Sequence, residues 1–316
     1  MFPYRWPVLI PASAARIGDF MNLDIQPFIS VLIVPGLLFT SVMAFLYAGM
    51  YRKVRARMQN RRGPPFVQPF YDFVKLLSKE SIKPEKSGML FTWAPIIALA
   101  SVLIVPILFP IGGLSFAGDL IVVIYVLNIS AIMLAVGGFS SGSPFGAVGG
   151  SREVTQLFAY ELPLAISMVA VAVKAGSFSL TGIAEAQESS GMFFYQLPFA
   201  CIAFLSIIPA KIGLQPFDIP EAEQEILGGP LVEYSGYRLA IFTFSNQVKY
   251  FVVISLAVIL FFWRNWWQFL ITGFLLWLLF IFIKIISARV KTDQSFVFFW
   301  QYMSILALID LVRVVI

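Results

Sequence analysis

Residues 216–238 read PFDIPEAEQEILGGPLVEYSGYR. This acidic stretch holds five carboxylates and one basic residue, which is the last one, Arg238. The carboxylates are Asp218, Glu221, Glu223, Glu225 and Glu233. Long apolar segments flank the stretch, at about 198–215 and 239–262. Because charge is costly near lipid, the acidic stretch must face water, contact a partner or hold protons.

The composition is that of an integral membrane protein. Of the 316 residues, 59% are hydrophobic and only 12% are charged, whereas a soluble domain has about 25% charged residues. Runs of roughly 20 apolar residues predict transmembrane helices, and the alternating pattern of an outer-membrane barrel is absent. We therefore expect an all-α, polytopic fold that forms a single integral membrane domain over residues 1–316.

A redox centre or metal site is not expected in this chain. It has no histidine, and Cys201 is its only cysteine. Iron–sulfur clusters need several thiolates, most haem sites use His or Cys ligands, and zinc sites need several Cys, His or carboxylate ligands. The net charge of +5 comes mostly from one loop, so it indicates membrane topology and not nucleic-acid binding.

Hydropathy predicts about eight membrane spans. They cover about 28–50, 89–110, 119–139, 154–175, 192–214, 239–262, 265–286 and 296–316. The basic loop at 51–88 holds ten basic residues against three acids, a density that is typical of the cytoplasmic side. This places the N-terminus outside and the acidic stretch inside, with the loops at 140–153 and 287–295 also inside.

One segment of the basic loop, Pro65 to Glu80, has the pattern of an amphipathic helix. Its apolar residues recur at helical spacing and predict one face that lies along the membrane interface. They are Phe66, Phe70, Phe73, Val74 and Leu77.

The acidic stretch contains residues that are typical of the start and the end of a helix. Asp218 and Glu221 have the spacing of a capping box, and Gly228-Gly229-Pro230 would end the helix. Two turns would then present Glu221 and Glu225 on one face and Glu223 on another. Two interpretations stay open: a solvated polar helix, or a cluster whose carboxylates raise one another's pKa and exchange protons near neutral pH.

Residues 139–153 read FSSGSPFGAVGGSRE, which favours either a flexible loop or a close helix contact. Gly142, Gly146 and Gly150 are spaced by four, a pattern that lets two helices approach closely.

Charged residues inside the predicted spans are informative because charge is costly in the membrane. Glu161 and Lys249 have no partner on their own helix, which favours a functional role. Asp310 and Arg313 are three residues apart and predict an internal ion pair, while Lys284 is expected to extend to the interface.

Three segments carry a family resemblance. Residues 58–84 read MQNRRGPPFVQPFYDFVKLLSKESIKP, and residues 151–165 read SREVTQLFAYELPLA. With the acidic stretch, in this order and between the predicted spans, they resemble the eight-helix subunit that joins the peripheral and membrane arms of respiratory complex I. The resemblance covers about residues 28–286. In complex I, that subunit forms part of the quinone chamber and begins a chain of carboxylates that leads to the ion pumps.

Several positions depart from the complex I pattern. Pro65 is followed almost at once by Gln68, which shortens a quinone-lining loop, and Lys211, Leu214 and Asn246 stand where the family has charged residues. The 142–153 segment and the spacing of Lys249 are instead similar to the anchor subunits of membrane-bound [NiFe] hydrogenases. This mixture resembles the archaeal ferredoxin-linked complexes, either membrane-bound hydrogenase or sulfane sulfur reductase.

The resemblance implies a non-catalytic linker subunit in the cytoplasmic membrane. Its relay residues would be Glu161, Asp218, Glu221, Glu223, Glu225, Glu233 and Lys249. Docking of the peripheral arm would use Arg57, Arg61, Arg62, Asp72, Lys75, Arg152, Glu153 and Arg238. The partners would be [NiFe]-hydrogenase-like and iron–sulfur subunits, which carry the cofactors, and antiporter-like membrane subunits that move H⁺ or Na⁺.

Two other functions are compatible with a polytopic chain. The first is a quinone-site subunit of complex I, which quinone reduction blocked by quinone-site inhibitors would indicate. The second is a free-standing secondary transporter, which predicts paired broken helices and an inverted repeat; neither is evident in the sequence.

Overall fold

The computed structural model describes residue 32 and residues 36–110 and 115–316, which form helices joined by turns and short loops. The first helices are α1 (Leu37–Met58), α2 (Gln68–Ser78), α3 (Leu90–Ile104, extended by a 3₁₀ turn at Val105–Leu108), α4 (Asp119–Ser140) and α5 (Pro144–Ala175). Next come α6 (Leu180–Ser190), α7 (Phe193–Gln196), α8 (Pro198–Ile212) and α9 (Glu223–Ile226), with a 3₁₀ turn at Gly229–Leu231. The last are α10 (Gly236–Phe261), α11 (Trp266–Ile286), α12 (Thr292–Val297), a π-helical segment (Phe298–Met303) and α13 (Ser304–Val315).

The all-α, multi-pass membrane fold is confirmed, but the count of eight spans is not. Within the described residues, six helical segments are long and apolar enough to cross a membrane. They are Leu90–Leu108, Asp119–Ser140, Pro144–Ala175, Gly236–Phe261, Trp266–Ile286 and Thr292–Val315.

The two remaining predicted spans differ from expectation. The span predicted at 28–50 lies partly outside the described residues, and α1 continues past its predicted end into the basic loop. The span predicted at 192–214 is divided at Leu197 into α7 and α8, so α8 has only 15 residues. Leu197 precedes Pro198 and has φ −127° and ψ 59°, in agreement with the tendency of proline to disfavour the helical conformation at the residue before it.

Helix α10 is the centre of the bundle. Of its most apolar 18-residue window, 89% is buried, compared with 33% for α11. A helix that is apolar on every side is expected to be buried, and α10 packs against α1, α2, α3, α8 and α11. It therefore holds the loops that precede and follow the other spans in fixed positions.

The predicted amphipathic helix is confirmed as α2, although it is shorter than Pro65 to Glu80, and its position at the membrane interface stays a prediction. Pro69 lies in its first turn, a position where proline leaves no hydrogen bond unmade. Phe73 contacts Phe244 of α10, and Phe70 contacts Phe45 of α1. The other apolar residues of the predicted face remain about half exposed, as expected for a helix that lies along a membrane surface.

The interpretation of residues 139–153 as a flexible loop is wrong from Pro144 onwards. Proline at the first position of α5 favours helix initiation, and the small residues let this helix approach α4. A Cβ atom at Gly146 would lie 2.8 Å from the carbonyl oxygen of Gly138, and one at Gly150 would lie 2.8 Å from that of Ala135. Gly142 is in the turn before α5 and has φ +73°.

The ion pair predicted between Asp310 and Arg313 is also wrong. Asp310 is fully buried, and its Oδ2 accepts a hydrogen bond of 2.8 Å from the backbone N–H of Ala200. Ala200 lies in the first turn of α8, where N–H groups have no partner within the helix and the helix dipole favours a negative charge. Asp310 therefore caps a neighbouring helix 110 residues away in the chain.

We expect Asp310→Ala to lower the free energy of unfolding by about 0.5–2 kcal/mol, the usual cost of losing a cap. Asp310→Asn keeps an acceptor oxygen and should cost less. Alkylation of the buried Cys201 thiol against temperature, read by peptide mass spectrometry, would measure the effect. Arg313→Ala is the control, and a loss equal to that of Asp310→Ala would contradict the capping role.

Candidate functional site

The basic loop and the acidic stretch lie together at one end of the bundle. Arg238 donates to Ser81 Oγ at 2.8 Å, and the backbone N–H of Ile82 donates to Ser235 Oγ at 2.9 Å. Gln156 of α5 donates to the carbonyl oxygens of both Ala210 and Phe217 at 2.8 Å. The acidic stretch is therefore packed against three other segments, and most of it is not bathed in solvent.

The two-turn helix predicted at Asp218 is wrong. Only one turn forms, α9, and its N-cap is Ala222 without a side-chain hydrogen bond. Pro220 disfavours the helical conformation at Ile219, and Asp218 pairs with Arg289 instead of capping a helix. The turn ends where Leu227 and the following two glycines have positive φ, as the glycines predicted. Glu221 and Glu225 consequently do not share a helix face.

A polar chamber of about 320 Å³ separates the acidic stretch from α1 and α11. Its walls carry three acidic and three basic side chains, which balance in formal charge. They are Asp218, Glu221 and Glu223, and Arg55, Lys284 and Arg289. Asp218 and Arg289 form an ion pair with 3.1 Å between Oδ2 and Nη2, although burial raises the pKa of Asp218 above its usual value.

Glu221 lies on the inner side of this chamber. Burial, with the nearby charges of Glu153 and Asp218, raises its pKa to about 7, while Lys249 and a hydrogen bond from Asn246 act in the opposite direction. The Asn246 Nδ2 atom is 3.2 Å from Glu221 Oε1. A carboxyl with this pKa exchanges its proton near neutral pH.

Beyond Glu221, charged residues continue into the membrane layer as an intramembrane polar cluster. This cluster consists of Asn128, Glu153, Glu161, Lys211 and Lys249. The Nζ atom of Lys211 donates to Asn128 Oδ1 at 2.7 Å, and Asn128 Nδ2 donates to Glu161 Oε1 at 2.7 Å. Glu153 interacts electrostatically with Lys249 and Lys211. Glu161 and Lys249, which have no partner on their own helix, thus interact with residues on other helices.

The remaining carboxylates of the acidic stretch lie outside this cluster. Glu225 is exposed, and its hydrogen bond with Arg152, 2.6 Å long, holds its pKa below the usual value. Glu223 is exposed at the chamber wall, and Glu233 is half-buried. Of the five carboxylates in the acidic stretch, only Glu221 joins the chamber to the intramembrane polar cluster.

Several known proteins are similar to this chain in sequence or structure. The sequence profile described as NADH dehydrogenase matches residues 29–315. This chain belongs to the NADH dehydrogenase family. It is 33% identical over 301 residues to a NADH-quinone oxidoreductase subunit of Bacillus thuringiensis (strain Al Hakam), covering 87% of this chain and 90% of the relative. The corresponding subunit of Bacillus cereus (strain AH187) gives the same values.

A solved structure is similar to this NADH dehydrogenase family member over most of its length. It is a chain of the membrane-bound sulfane sulfur reductase, described as an archaeal respiratory membrane complex. The TM-score is 0.84 at 28% sequence identity, and the match covers 92% of this chain and 100% of the other.

The predicted docking residues of this family member fall into two groups. Arg57, Arg61, Arg62 and Lys75 are exposed on the basic loop. Asp72 is bonded to Arg52 and Gln68 and is partly buried.

The other docking candidates are engaged within the chain. Arg152 pairs with Glu225, Arg238 is buried beside Ser81, and Glu153 belongs to the intramembrane polar cluster. The exposed arginines and Lys75 are consequently the best placed to meet a partner, and docking itself stays a prediction.

Several site residues were not among the sequence candidates. Asn128 bridges Lys211 and Glu161, and Arg289 pairs with Asp218. Asn128 is the one side-chain amide within the apolar α4 segment. A lone amide in a predicted span was the sequence feature that could have identified it as a site residue. Over the described residues, no group of three or more His, Cys, Asp or Glu side chains could hold a metal ion.

The raised pKa of Glu221 predicts a pH-dependent stability. Between pH 4.5, its usual pKa, and about pH 7, the Glu221 carboxyl is protonated in the folded protein. In the unfolded chain the same carboxyl has lost its proton in this range. The free energy of unfolding should therefore fall as pH rises through this window, by about 3 kcal/mol. Relative to wild type, Glu221→Gln should match at pH 4.5 and be more stable above pH 7. Thermal unfolding across this range tests this, with exposed Glu223→Gln as control, and a less stable Glu221→Gln at pH 8 would contradict it.

Proposed function

We propose that this chain is the linker subunit of an ion-pumping, ferredoxin-linked complex of the membrane-bound hydrogenase type. It would couple electron transfer in a peripheral arm to H⁺ or Na⁺ translocation in antiporter-like membrane subunits. The observation that carries the proposal is the position of Glu221, which joins the polar chamber at the loop surface to the intramembrane polar cluster. The likeness to the chain of the sulfane sulfur reductase supports the choice of complex.

In this proposal, the chain itself binds no redox cofactor. The [NiFe] centre and iron–sulfur clusters belong to peripheral subunits that dock on the cytoplasmic side, against the exposed arginines of the basic loop. Those arginines lie beside a pocket of about 340 Å³ that contains Arg52, Arg55, Arg61 and Arg62, and acidic partner groups suit such a surface. The N-terminus would then lie on the outer side.

The coupling would act through protonation. A change of charge in the docked partner alters the protonation of Glu221, which faces Asp218 in the chamber and Glu153 and Lys249 towards the membrane. Lys211 and Asn128 continue the path to Glu161. Hydrogen bonds join Lys211, Asn128 and Glu161, and electrostatic interactions link Glu221 and Glu153 with Lys249. An electrostatic signal can therefore pass along these groups without a large movement of helices.

A second function is a quinone-site subunit in a complex I. The family description and the names of the NADH-quinone oxidoreductase relatives favour it. The two functions predict different partners after purification in mild detergent: a [NiFe] catalytic subunit with ferredoxin-linked activity, or a quinone-linked set whose activity quinone-site inhibitors block.

The role of Glu161 is tested by Glu161→Gln in the complete complex. We expect the number of ions moved per electron to fall, while electron transfer by the peripheral subunits continues. Glu185→Gln is a matched control because Glu185 is exposed on α6, outside the polar cluster. A Glu161→Gln complex with the wild-type ratio would remove Glu161 from the path.

A further inference from the structure

An apolar crevice of about 740 Å³ opens on the side of the bundle, and residues 216–218 and 289–290 separate it from the polar chamber. Leu205 and Pro209 of α8 form its floor, and Leu279 and Phe280 of α11 form one wall. The opposite wall is the start of the last span, including Val297 and Phe298. Two of these walls belong to helices that are long and apolar enough to span a membrane, and α8 is a shorter apolar helix. We therefore expect much of the crevice to lie within the hydrocarbon layer.

The mouth of the crevice faces outward and is itself apolar. Ile202, Leu279 and Val297 at its edge are 48%, 46% and 42% exposed. Large apolar side chains with this exposure meet either lipid or another protein. Part of the wall is the π-helical segment Phe298–Met303, a rare conformation that is common at functional sites.

The crevice has one polar end. Asp293 and Gln294 line it where the last span begins, next to the exposed Lys291. Further into the bilayer, the hydroxyl of Ser206 is bonded to the carbonyl oxygen of Ile202, so it offers little to a ligand. Apart from Tyr302 at the mouth, the rest of the lining is apolar. An apolar channel with polar groups at the interface end matches the polarity of an amphiphile.

The volume distinguishes the possible occupants. A transmembrane helix of a partner, about 10 Å wide and 30 Å long, occupies roughly 2,400 Å³, about three times the volume of the crevice, so such a helix would insert only side chains. A methylene group is about as large as a water molecule, which occupies about 30 Å³ in the liquid, so the crevice holds on the order of 25 methylene groups. This is the size of one long hydrocarbon chain.

We propose that the crevice is a binding site for one hydrocarbon chain of a membrane glycerolipid, with the headgroup beside Lys291 and Gln294. The chain would contact Phe217, a residue of the acidic stretch that lines the crevice. Only a narrow seam separates this residue from the polar chamber: Val290 N donates to Pro216 O at 2.9 Å, and Arg289 pairs with Asp218. The bound lipid would therefore contact the acidic stretch at Phe217, next to the ion pair of Asp218 with Arg289.

The test uses the complete complex, with a photoreactive benzoylphenylalanine at position 279. After purification and extensive washing in detergent, irradiation should attach a glycerolipid to this residue, identified by the mass of the peptide. The matched control places the same group at Ile271, which is exposed two turns away on α11 and outside the crevice. There, annular lipid is washed away and only detergent should be attached.

A second variant fills the crevice. Ser206→Trp should abolish the lipid adduct at position 279, and native mass spectrometry should show one lipid fewer per complex, whereas Ile271→Trp should change neither. An adduct with a partner polypeptide, with a quinone, or with detergent alone at position 279 would overturn the proposal. So would an adduct that persists in Ser206→Trp. The adduct at position 279 is decisive even if Ser206→Trp does not assemble.

Discussion

Replacing Lys211 with methionine is expected to destabilise the bundle by about 1–3 kcal/mol, because Asn128 Oδ1 loses its hydrogen-bond donor and Glu161 loses a nearby positive charge. Lys211 is 4% exposed, and its ammonium lies 2.7 Å from Asn128 Oδ1 and 5.0 Å from the ring centre of Tyr160. Methionine has a similar length, so the core stays filled. The Glu161 carboxylate then keeps the Asn128 amide but loses the nearby positive charge.

The double variant Lys211→Met/Glu161→Gln separates charge from packing. With both charges removed, no uncompensated ion remains in the membrane layer, so stability should recover much of the loss. Thermal unfolding followed by alkylation of buried Cys201 measures all three variants. Exposed Lys174→Met is the control, since its side chain lies at the end of α5. A double variant that is less stable than Lys211→Met would show that the pair is not coupled.

The spans and the interfacial helix could be predicted from sequence because they depend on local patterns. Hydropathy over about 20 residues locates a helix in lipid regardless of its neighbours, and the repeat that includes Phe70, Phe73 and Leu77 marks one face of α2. The break at Leu197 was missed, although Pro198 follows it, because its flanks are as apolar as a continuous span. For residues 144–153 the sequence left a flexible loop and a close helix contact open, because small residues are common in both.

The polar contacts could not be predicted because their partners are distant in the chain. Asp310 was assigned to Arg313, three residues away, but bonds to Ala200, 110 residues away. Asp218 was assigned to a helix cap, but Arg289 binds it instead. The relay candidates were chosen by residue type and family resemblance, and only the fold distinguishes the position of Glu221 from those of the exposed Glu223 and Glu225.

Gly149→Val is expected to displace the acidic stretch from α5 and prevent assembly of the complex. A Cβ atom at this position would lie 2.5 Å from Pro230 Cδ and 2.7 Å from Gly229 Cα. These atoms belong to a ring and to the backbone, so no side chain can rotate away. Overpacking of this kind costs about 1–3 kcal/mol, or more where the backbone cannot move.

The displacement reaches the relay because the acidic stretch is bonded both to α5 and to α10. Gln156 binds the carbonyl oxygen of Phe217 from α5, the same helix that carries Gly149, and Asn246 binds Glu221 from α10. Pushing the Gly229 turn away from α5 strains both contacts. Yield of the complex and its ratio of ions to electrons would measure the loss. Gly88→Ala is the control because its Cβ would lie at an ordinary 3.8 Å from Ser140 Cβ. Wild-type yield and coupling in Gly149→Val would mean that the packing of the acidic stretch on α5 does not matter for the site.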